Sequence, residues 1–98
     1  MVMPIVADVS IVPIGEGTSL SKYVKKAIEE LKKSGVRVEL GAMSTTLEAD
    51  DVAKIFDAVQ MAREALFDMG VKRVYTILRI DERRDKPISI ETKLGAVK

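Results

Sequence analysis

The chain repeats one pattern, in which a strand rich in β-branched residues is followed by an amphipathic helix, a glycine and a second strand. The segment 33–38 (KSGVRV) ends the first copy, and the segment 68–74 (DMGVKRV) ends the second. The link between the copies, Leu40–Met43, is too short for a crossover, so the strands it joins are antiparallel neighbours. The pattern therefore predicts the ferredoxin-like β-α-β-β-α-β arrangement of the α+β class, with one antiparallel sheet and both helices on one face.

Hydrophobic periodicity sets the bounds of the predicted elements. Strands are expected over 2–12, 36–40, 43–48 and 71–80, and helices over 20–34 and between Asp50 and Gly70. Ser19 is predicted to cap the first helix and Asp50 the second, because their side-chain oxygens can accept hydrogen bonds from the free N–H groups of a first turn.

The end of the chain is predicted to form a short helix. Ile90 and Leu94 recur at helical spacing after a charged loop. Gly95 weakens such a helix by about 1 kcal/mol relative to alanine, so we expect the helix to need a surface to pack against. The whole chain, 1–98, is predicted to be one domain in which residues 85–98 form a C-terminal extension.

Composition argues against several classes of function. The chain has no Cys and no His, which removes thiolate nucleophiles, zinc–thiolate sites and Ser-His-Asp arrangements. Its 16 basic and 15 acidic residues alternate and leave a net charge of +1, so no field recruits nucleic acid or an anionic membrane. No apolar run reaches the roughly 18 residues that cross a bilayer. We therefore predict a cytoplasmic protein without nucleic-acid partner, membrane segment or metal site.

The sheet face without helices is predicted to be mixed in character. Strand alternation assigns to it Val6, Asp8, Ser10, Val12, Arg37, Glu39, Ser44, Thr46, Glu48, Arg73, Tyr75, Ile77 and Arg79. This surface is too polar for a core and too apolar for plain solvent surface, and such a face commonly packs against another copy of itself. We expect a homodimer or homotetramer closed through this face.

Hydroxyl groups and charges converge near the first strand, which lies in the centre of this topology. The candidate binding groups around it are Asp8, Ser10, Ser44, Glu48 and Arg79. Together they are suited to a small polar or cationic molecule. The alternative is a set of ion pairs that only stabilises the subunit contact. The hydroxyls are the stronger indication of a binding site, because they take no part in ion pairs.

Two other functions stay open on the residues alone. One is a structural or regulatory assembly domain whose sheet contacts another protein. The other is an isomerase or lyase that uses Asp8 or Glu48 as a base, which would require a raised carboxylate pKa in a deep cleft. The turn Gly15–Ser19 precedes a helix and could hold an anion, but it lacks the remaining residues of a phosphate-binding loop and is better explained as a plain turn.

Four segments in a fixed order carry a family resemblance: Pro13–Gly15, Thr18–Val24, Met43–Ala49 and Val74–Asp85. Together they resemble the YkoF-like thiamine-binding family over nearly the whole chain. The resemblance implies a ferredoxin-like fold with an added C-terminal helix, assembled as dimers and usually tetramers through the sheets. It also implies a pocket for thiamine or its hydroxymethylpyrimidine portion, without catalysis.

Three positions carry over from the family residue by residue. Thr45 and Glu48 match a Thr and a Glu that precede the second helix, and Ser19 matches a Ser that opens the first. Ser44 departs from the pattern, since members often have Gly there. The prediction is therefore a non-catalytic protein that needs no cofactor and binds thiamine or a related pyrimidine near a sheet-mediated interface. Hydroxyls and a carboxylate suit the edges of an aminopyrimidine, and Asp8 or Glu48 suits a cationic thiazolium.

Overall fold

Four strands and three helices make up the part of the chain that the structure, a computed structural model, describes, namely residues 3–98. In order they are β1 (Ile5–Pro13), α1 (Ser21–Lys33), β2 (Arg37–Leu40), β3 (Thr45–Ala49), α2 (Val52–Asp68), β4 (Val74–Asp81) and α3 (Ile90–Gly95). The predicted order and the C-terminal helix are confirmed; the predicted start of the first strand at Val2 lies outside the described residues. None of the helices in this range is long and apolar enough to cross a membrane.

The strands form one antiparallel sheet in the order β2-β3-β1-β4, which confirms the predicted ferredoxin-like topology. β1 is central, as expected. Its pairing with β3 ends at Val9–Thr45, whereas its pairing with β4 continues to Pro13–Val74. The last part of β1 therefore has a strand neighbour on only one side.

The core lies between the sheet and the two long helices. Alternate β1 residues Ile5, Ala7, Val9 and Ile11 point to it, together with Leu31 of α1, Leu47 of β3, and Ile55 and Leu66 of α2. Leu47, Ile55 and Leu66 have no exposed surface. Truncating such a side chain to alanine typically costs about 2–5 kcal/mol, so these residues fix the two helices over the sheet.

Both predicted helix caps are wrong by a small shift along the chain. α1 begins after Leu20, whose carbonyl accepts from Tyr23 N at 3.0 Å, and no side chain caps this end. Ser19 is therefore one residue too early. At α2 the cap is Asp51, whose backbone is extended and whose Oδ1 accepts from Ala53 N at 2.9 Å. Asp50 instead pairs with Lys54, one helical turn on, at 2.7 Å.

The sheet face opposite α1 and α2, here called the open face, is partly covered by the chain itself. Ile88 and Ile90 pack on Val6. The backbone N–H of Ile90 donates to Glu48 Oε1 at 2.7 Å, and Glu91 pairs with Arg37. The open face is thus the surface that the short helix packs against. The predicted helix-free face is therefore free of helices only in the part beyond α3.

Candidate functional site

Asp8 lies at the centre of the open face and gathers two of the predicted site residues around it. Arg79 donates to both carboxylate oxygens, from Nε to Oδ1 at 2.8 Å and from Nη2 to Oδ2 at 2.6 Å. Ser44 Oγ donates to Oδ2 at 3.1 Å. The arrangement follows from the register, which places Asp8 directly opposite Arg79 on β4. The structure therefore brings Asp8, Ser44 and Arg79 together as predicted.

The electrostatics of this cluster favour the ionised form of the Asp8 carboxylate. The hydrogen bonds from Arg79 lower the pKa of Asp8; partial burial opposes the shift, and the hydrogen bond from Ser44 reinforces it. A general base for an isomerase or lyase would need the opposite shift. Asp8 is therefore poorly suited to proton abstraction.

Glu48 holds the C-terminal helix. Its side chain is 18% exposed, accepts from the Ile90 N–H and lies 3.8 Å from Arg37 Nη1. A carboxylate that accepts a backbone N–H at the start of α3 completes that helix end, in the same way as a cap. The predicted ligand-binding Glu48 is thus engaged by the chain itself.

The two remaining serines lie apart from this cluster. Ser10 is partly buried on β1, opposite Ile77 of β4. Ser19 is exposed in the turn before α1 and lines neither of the two cavities described next. The fold therefore does not bring Ser19 together with the other predicted site residues.

One cavity is an open groove between α3 and the open face, with a volume of about 810 Å³. Its charged side chains are largely paired with one another: Asp8 with Arg79, Asp81 with Lys93, and Arg37 with Glu39 and Glu91. A ligand that sought a charge here would have to displace an existing partner. The groove therefore offers space but few unengaged charged groups.

A second cavity, here called the turn cleft, lies on the helix side of the sheet and has a volume of about 200 Å³. It is bounded by α1, by the last part of β1 and by the β2–β3 turn, with Val24, Ala27, Ile28 and Leu31 as an apolar wall and Ser44 and Thr45 at the turn. Thr45 faces this side because it alternates with the buried Leu47 on β3. Predicted site residue Thr45 is therefore separated by the sheet from Asp8 and Glu48.

The extension of β1 past β3 supplies backbone groups to this cleft. The ladder to β3 ends at Val9, while the hydrogen bond from Ile14 N to Arg73 O, 2.8 Å, extends the ladder to β4. Successive residues of a central antiparallel strand direct their N–H and C=O groups to alternate neighbours. Since Ile14 bonds on the β4 side, Ile11 directs both groups to the β3 side, where no strand residue lies opposite it. Ile11 thus presents one donor and one acceptor to the turn cleft.

The turn that closes the cleft depends on Gly41. Its N–H donates to Ser44 O at 3.0 Å, and a Cβ on Gly41 would lie 2.6 Å from that same oxygen. Only glycine fits so close a backbone approach without displacing the turn.

Sequence reasoning did not identify Ile11 as a candidate functional residue. Motif reading looks for side chains, whereas Ile11 contributes main-chain groups and buries its side chain in the core. A signal was present in the predicted strand lengths, because a first strand over 2–12 must outrun a third strand over 43–48.

The topology and the turn cleft define a class, that of ferredoxin-like α+β proteins with a ring-sized cavity between sheet and helix. Residues 7–98 match the model of the family described as "Thiamine-binding protein". The chain belongs to this family, which confirms the resemblance found in the sequence. The family is not a known enzyme family.

Relatives at high identity come from archaea and bacteria. The chain is 45% identical over 95 residues to a UPF0045 protein of Methanothermobacter thermautotrophicus, with 96% of each chain covered. It is 39% identical over 97 residues to a UPF0045 protein of Bacillus subtilis, with 94% of this chain and 92% of the relative covered.

Solved structures share the fold. A hypothetical protein of Methanocaldococcus jannaschii superposes with a TM-score of 0.89 at 49% identity, over 96% of this chain and 95% of that one. A Thermotoga maritima protein described as a candidate for thiamine biosynthesis or salvage superposes with a TM-score of 0.80 at 26% identity, over 97% and 99% of the two chains. Both likenesses confirm the predicted ferredoxin-like fold.

Proposed function

We propose that this protein binds thiamine non-covalently, through the hydroxymethylpyrimidine portion, in the turn cleft. The family and the Thermotoga relative support the ligand class. The observation that carries the proposal is the N–H and C=O of Ile11, which have no hydrogen-bond partner among the described residues and are directed into a cavity of about 200 Å³. The hydroxyl-bearing residues Ser10, Ser44 and Thr45 also line this cavity.

The chemistry of an aminopyrimidine suits these groups. A ring nitrogen that accepts lies next to an amino group that donates, and an extended residue offers its N–H and C=O on the same side. Ile11 can therefore pair with both atoms of that edge, as a neighbouring strand would. Thr45 Oγ1 adds a donor or an acceptor at the turn. The side chains of α1 cover a ring face with apolar surface, which stabilises burial of the ring.

The cleft is large enough for only one ring, so the pyrimidine should contribute most of the binding affinity. A volume of about 200 Å³ accommodates one ring with its substituents, so the thiazolium of thiamine lies outside it. Hydroxymethylpyrimidine alone should then bind with an affinity within about tenfold of that of thiamine. No covalent step is proposed, and no cofactor is required.

The same proposal includes self-association in a reducing cytoplasm, which the cysteine-free composition suits. Beyond α3 the open face exposes Tyr75 (54%) and Ile77 (47%) beside the partly buried Val12. Apolar side chains grouped on a sheet are commonly covered by another copy. We propose a homodimer or homotetramer that covers this part of the open face, as predicted from the sequence.

A second candidate function is a homo-oligomeric assembly domain without a small ligand. It is favoured by the engagement of Asp8 by Arg79 and of Glu48 by Ile90, since carboxylates satisfied within the chain have structural roles. Only the first function requires the turn cleft to bind a ligand, so variants of the cleft distinguish the two.

Calorimetric titration with thiamine and with hydroxymethylpyrimidine distinguishes them. The adjacent threonines of β3 supply a matched pair of variants, because Thr45 lines the turn cleft and Thr46 lies on the opposite face. Thr45→Val should weaken binding of both compounds at least fivefold, about the value of one hydrogen bond. Thr46→Val should leave binding unchanged. The absence of heat at millimolar ligand, from protein with native circular dichroism, would contradict the proposal and favour the assembly domain.

A further inference from the structure

Two lysines of α1 lie beside the apolar wall of the turn cleft. Val24 and Ile28 line the cleft, and both keep part of their surface exposed. Lys25 precedes Ile28 by three residues and Lys32 follows it by four, so each is a neighbour of Ile28 on the surface of the helix. Both lysines are exposed, and they are here called the rim lysines.

Helix geometry places the rim lysines at the outer margin of the cleft. The buried side chain of Leu31 marks the deep end of the α1 wall. At about 100° per residue, Ile28 is turned by roughly 60° from Leu31 around the helix axis. The rim lysines are turned by roughly 100° and 120° in the same direction. The order from the core outward is therefore Leu31, Ile28 and then the rim lysines.

The rim lysines differ from the lysines next to them in having no carboxylate partner. Lys26 and Lys33 both pair with Glu30, at 3.3 and 3.1 Å. Among residues 3–98, no ion pair includes Lys25 or Lys32. The cleft supplies no partner either, because the residues that line it are apolar or carry hydroxyl groups. Two uncompensated positive charges thus border a neutral cavity.

We propose that the rim lysines bind a phosphate group of the ligand, so that the protein takes a phosphate monoester of hydroxymethylpyrimidine or of thiamine. This inference rests on the proposed function, because the ring must occupy the turn cleft for its substituent to reach the rim. A phosphate monoester carries a charge of about −1.5 to −2 at pH 7 and several acceptor oxygens. Each lysine ammonium offers three donors, so the charges and the hydrogen-bonding groups are complementary.

The spacing of the rim lysines suits one shared anion. Seven residues separate them, which corresponds to about 10.5 Å along the helix axis. A lysine carries its ammonium group on a flexible stem of four carbons. Two such side chains on the same side of a helix can therefore converge on one phosphate that lies between them.

The neutral lining of the cleft decides which part of the ligand it holds. Burial of a charge without a partner is unfavourable, so the uncharged pyrimidine enters the cleft and charged substituents stay at the rim. At the rim the thiazolium cation of thiamine meets two positive charges and is repelled, whereas a phosphate is attracted. Phosphorylation should therefore strengthen the binding of either parent compound.

Titration calorimetry of the full chain measures this gain as a ratio, the dissociation constant of each parent alcohol divided by that of its monoester. We expect a ratio of about tenfold or more for hydroxymethylpyrimidine phosphate, thiamine monophosphate or both, because charge-assisted hydrogen bonds are the strong ones. The compound with the larger ratio identifies the ester that the rim fits. The ratio should fall as ionic strength rises from about 0.01 M to about 0.15 M, since salt screens exposed charges.

Two double variants separate the rim from the total charge of the helix. Lys25→Gln with Lys32→Gln removes the rim lysines, whereas Lys26→Gln with Lys33→Gln removes the same charge one residue further along. Both lower the net charge by two, so a difference between them reports position alone. The ratio should fall below about threefold in the first double variant and stay at about tenfold or more in the second.

The possible failures of this inference and of the proposed function can be told apart. If the parent compounds bind but neither ester binds more than about threefold better, the phosphate site is wrong and the proposed function stands. An equal loss in both double variants would also overturn the site, because the total charge of the helix would then be the cause. If neither the parents nor the esters bind, the proposed function falls and this inference falls with it.

Discussion

Thr45 and Thr46 show how a single residue step separates two surfaces of this molecule. Thr45 pairs with Val9 and lines the turn cleft; Thr46 pairs with Asp8 and lines the groove on the open face. The hydroxyl-rich run Ser44–Thr46 thus contributes to both sides of the sheet, whereas a sequence pattern presents it as one cluster. The alternation of side chains along a strand predicts the face on which each residue lies, whereas closeness in the sequence does not.

Thr76 should be a site where a substitution stabilises the protein. Its hydroxyl is buried, and no hydrogen-bond partner for it lies among the described residues. An unpaired buried hydroxyl costs about 1–3 kcal/mol, which valine does not incur. Thr76→Val should raise the free energy of unfolding by about 1 kcal/mol, measured by urea denaturation. Thr92→Val is the contrasting variant and should lower it, because the Thr92 hydroxyl accepts from Ser89 N at 2.8 Å.

Asp8 should give the protein an acid-dependent loss of stability. Its pKa in the folded state lies below the ordinary 3.8 because Arg79 donates to the carboxylate. The stabilisation is therefore fully present above the unfolded-state pKa and is lost as pH falls through the folded-state pKa. The urea midpoint of Asp8→Asn should lie below that of the original protein by a constant amount above about pH 5, and the gap should narrow below about pH 4.

Arg79→Gln serves as the control for this measurement, since it removes the main cause of the lowered pKa. In Arg79→Gln, Asp8 is still present, but the loss of stability at low pH that it causes should be smaller than in the original protein. A gap between the original protein and Asp8→Asn that stays constant down to pH 2 would contradict the assignment.

At the scale of elements, α3 is attached to the open face by few contacts, and Glu48 is one that can be tested cleanly. Glu48→Ala removes the acceptor of the Ile90 N–H, whereas Glu48→Gln keeps a side-chain oxygen at the same position. Hydrogen exchange of the Ile90 amide should accelerate at least tenfold in Glu48→Ala and much less in Glu48→Gln. Equal exchange in both variants would show that the hydrogen bond from Ile90 to Glu48 is not what holds α3, leaving the packing on Val6 and the ion pairs of Glu91 and Lys93.

The β2–β3 turn can be altered without touching the core. A Cβ at Gly41 meets Ser44 O at 2.6 Å, so Gly41→Ala must displace the turn that bounds the cleft. We expect calorimetry to show at least tenfold weaker binding of hydroxymethylpyrimidine. Gly95→Ala is the matched control, because a Cβ there meets no atom within 4 Å; it should leave binding intact and strengthen α3. Unchanged binding in Gly41→Ala would exclude the turn from the site.

At the scale of the whole molecule, the sequence predicts the architecture well because its determinants are local. Short links force antiparallel neighbours, and the period-2 alternation of β1 by itself assigns Ile5, Ala7 and Val9 to one face of the strand and Asp8 to the other. The caps were harder to predict. Asp50 and Asp51 are adjacent and chemically equal, so only the backbone conformation decides which of them caps α2.

The candidate site was predictable only in part. The cluster of Asp8, Ser44 and Arg79 follows from the strand order, which the pattern predicts, and from the register, which only the structure supplies. The docking of α3 on Val6 and Glu48 depends on the path of a charged loop that has no periodicity, and the turn cleft depends on where one strand ends. Such features arise from tertiary geometry.

The uneven lengths of β1 and β3 have a consequence for evolution. Recognition of a ligand by main-chain atoms depends on the path of the chain and little on the identity of the amino acid that supplies those atoms. If Ile11 binds the ligand as proposed, a change of Ile11 to Val or Leu that packing favours would leave the main-chain recognition unchanged. Distant relatives could then bind the same ligand with few residues in common. The positions at which their strands end would indicate the shared site better than sequence motifs do.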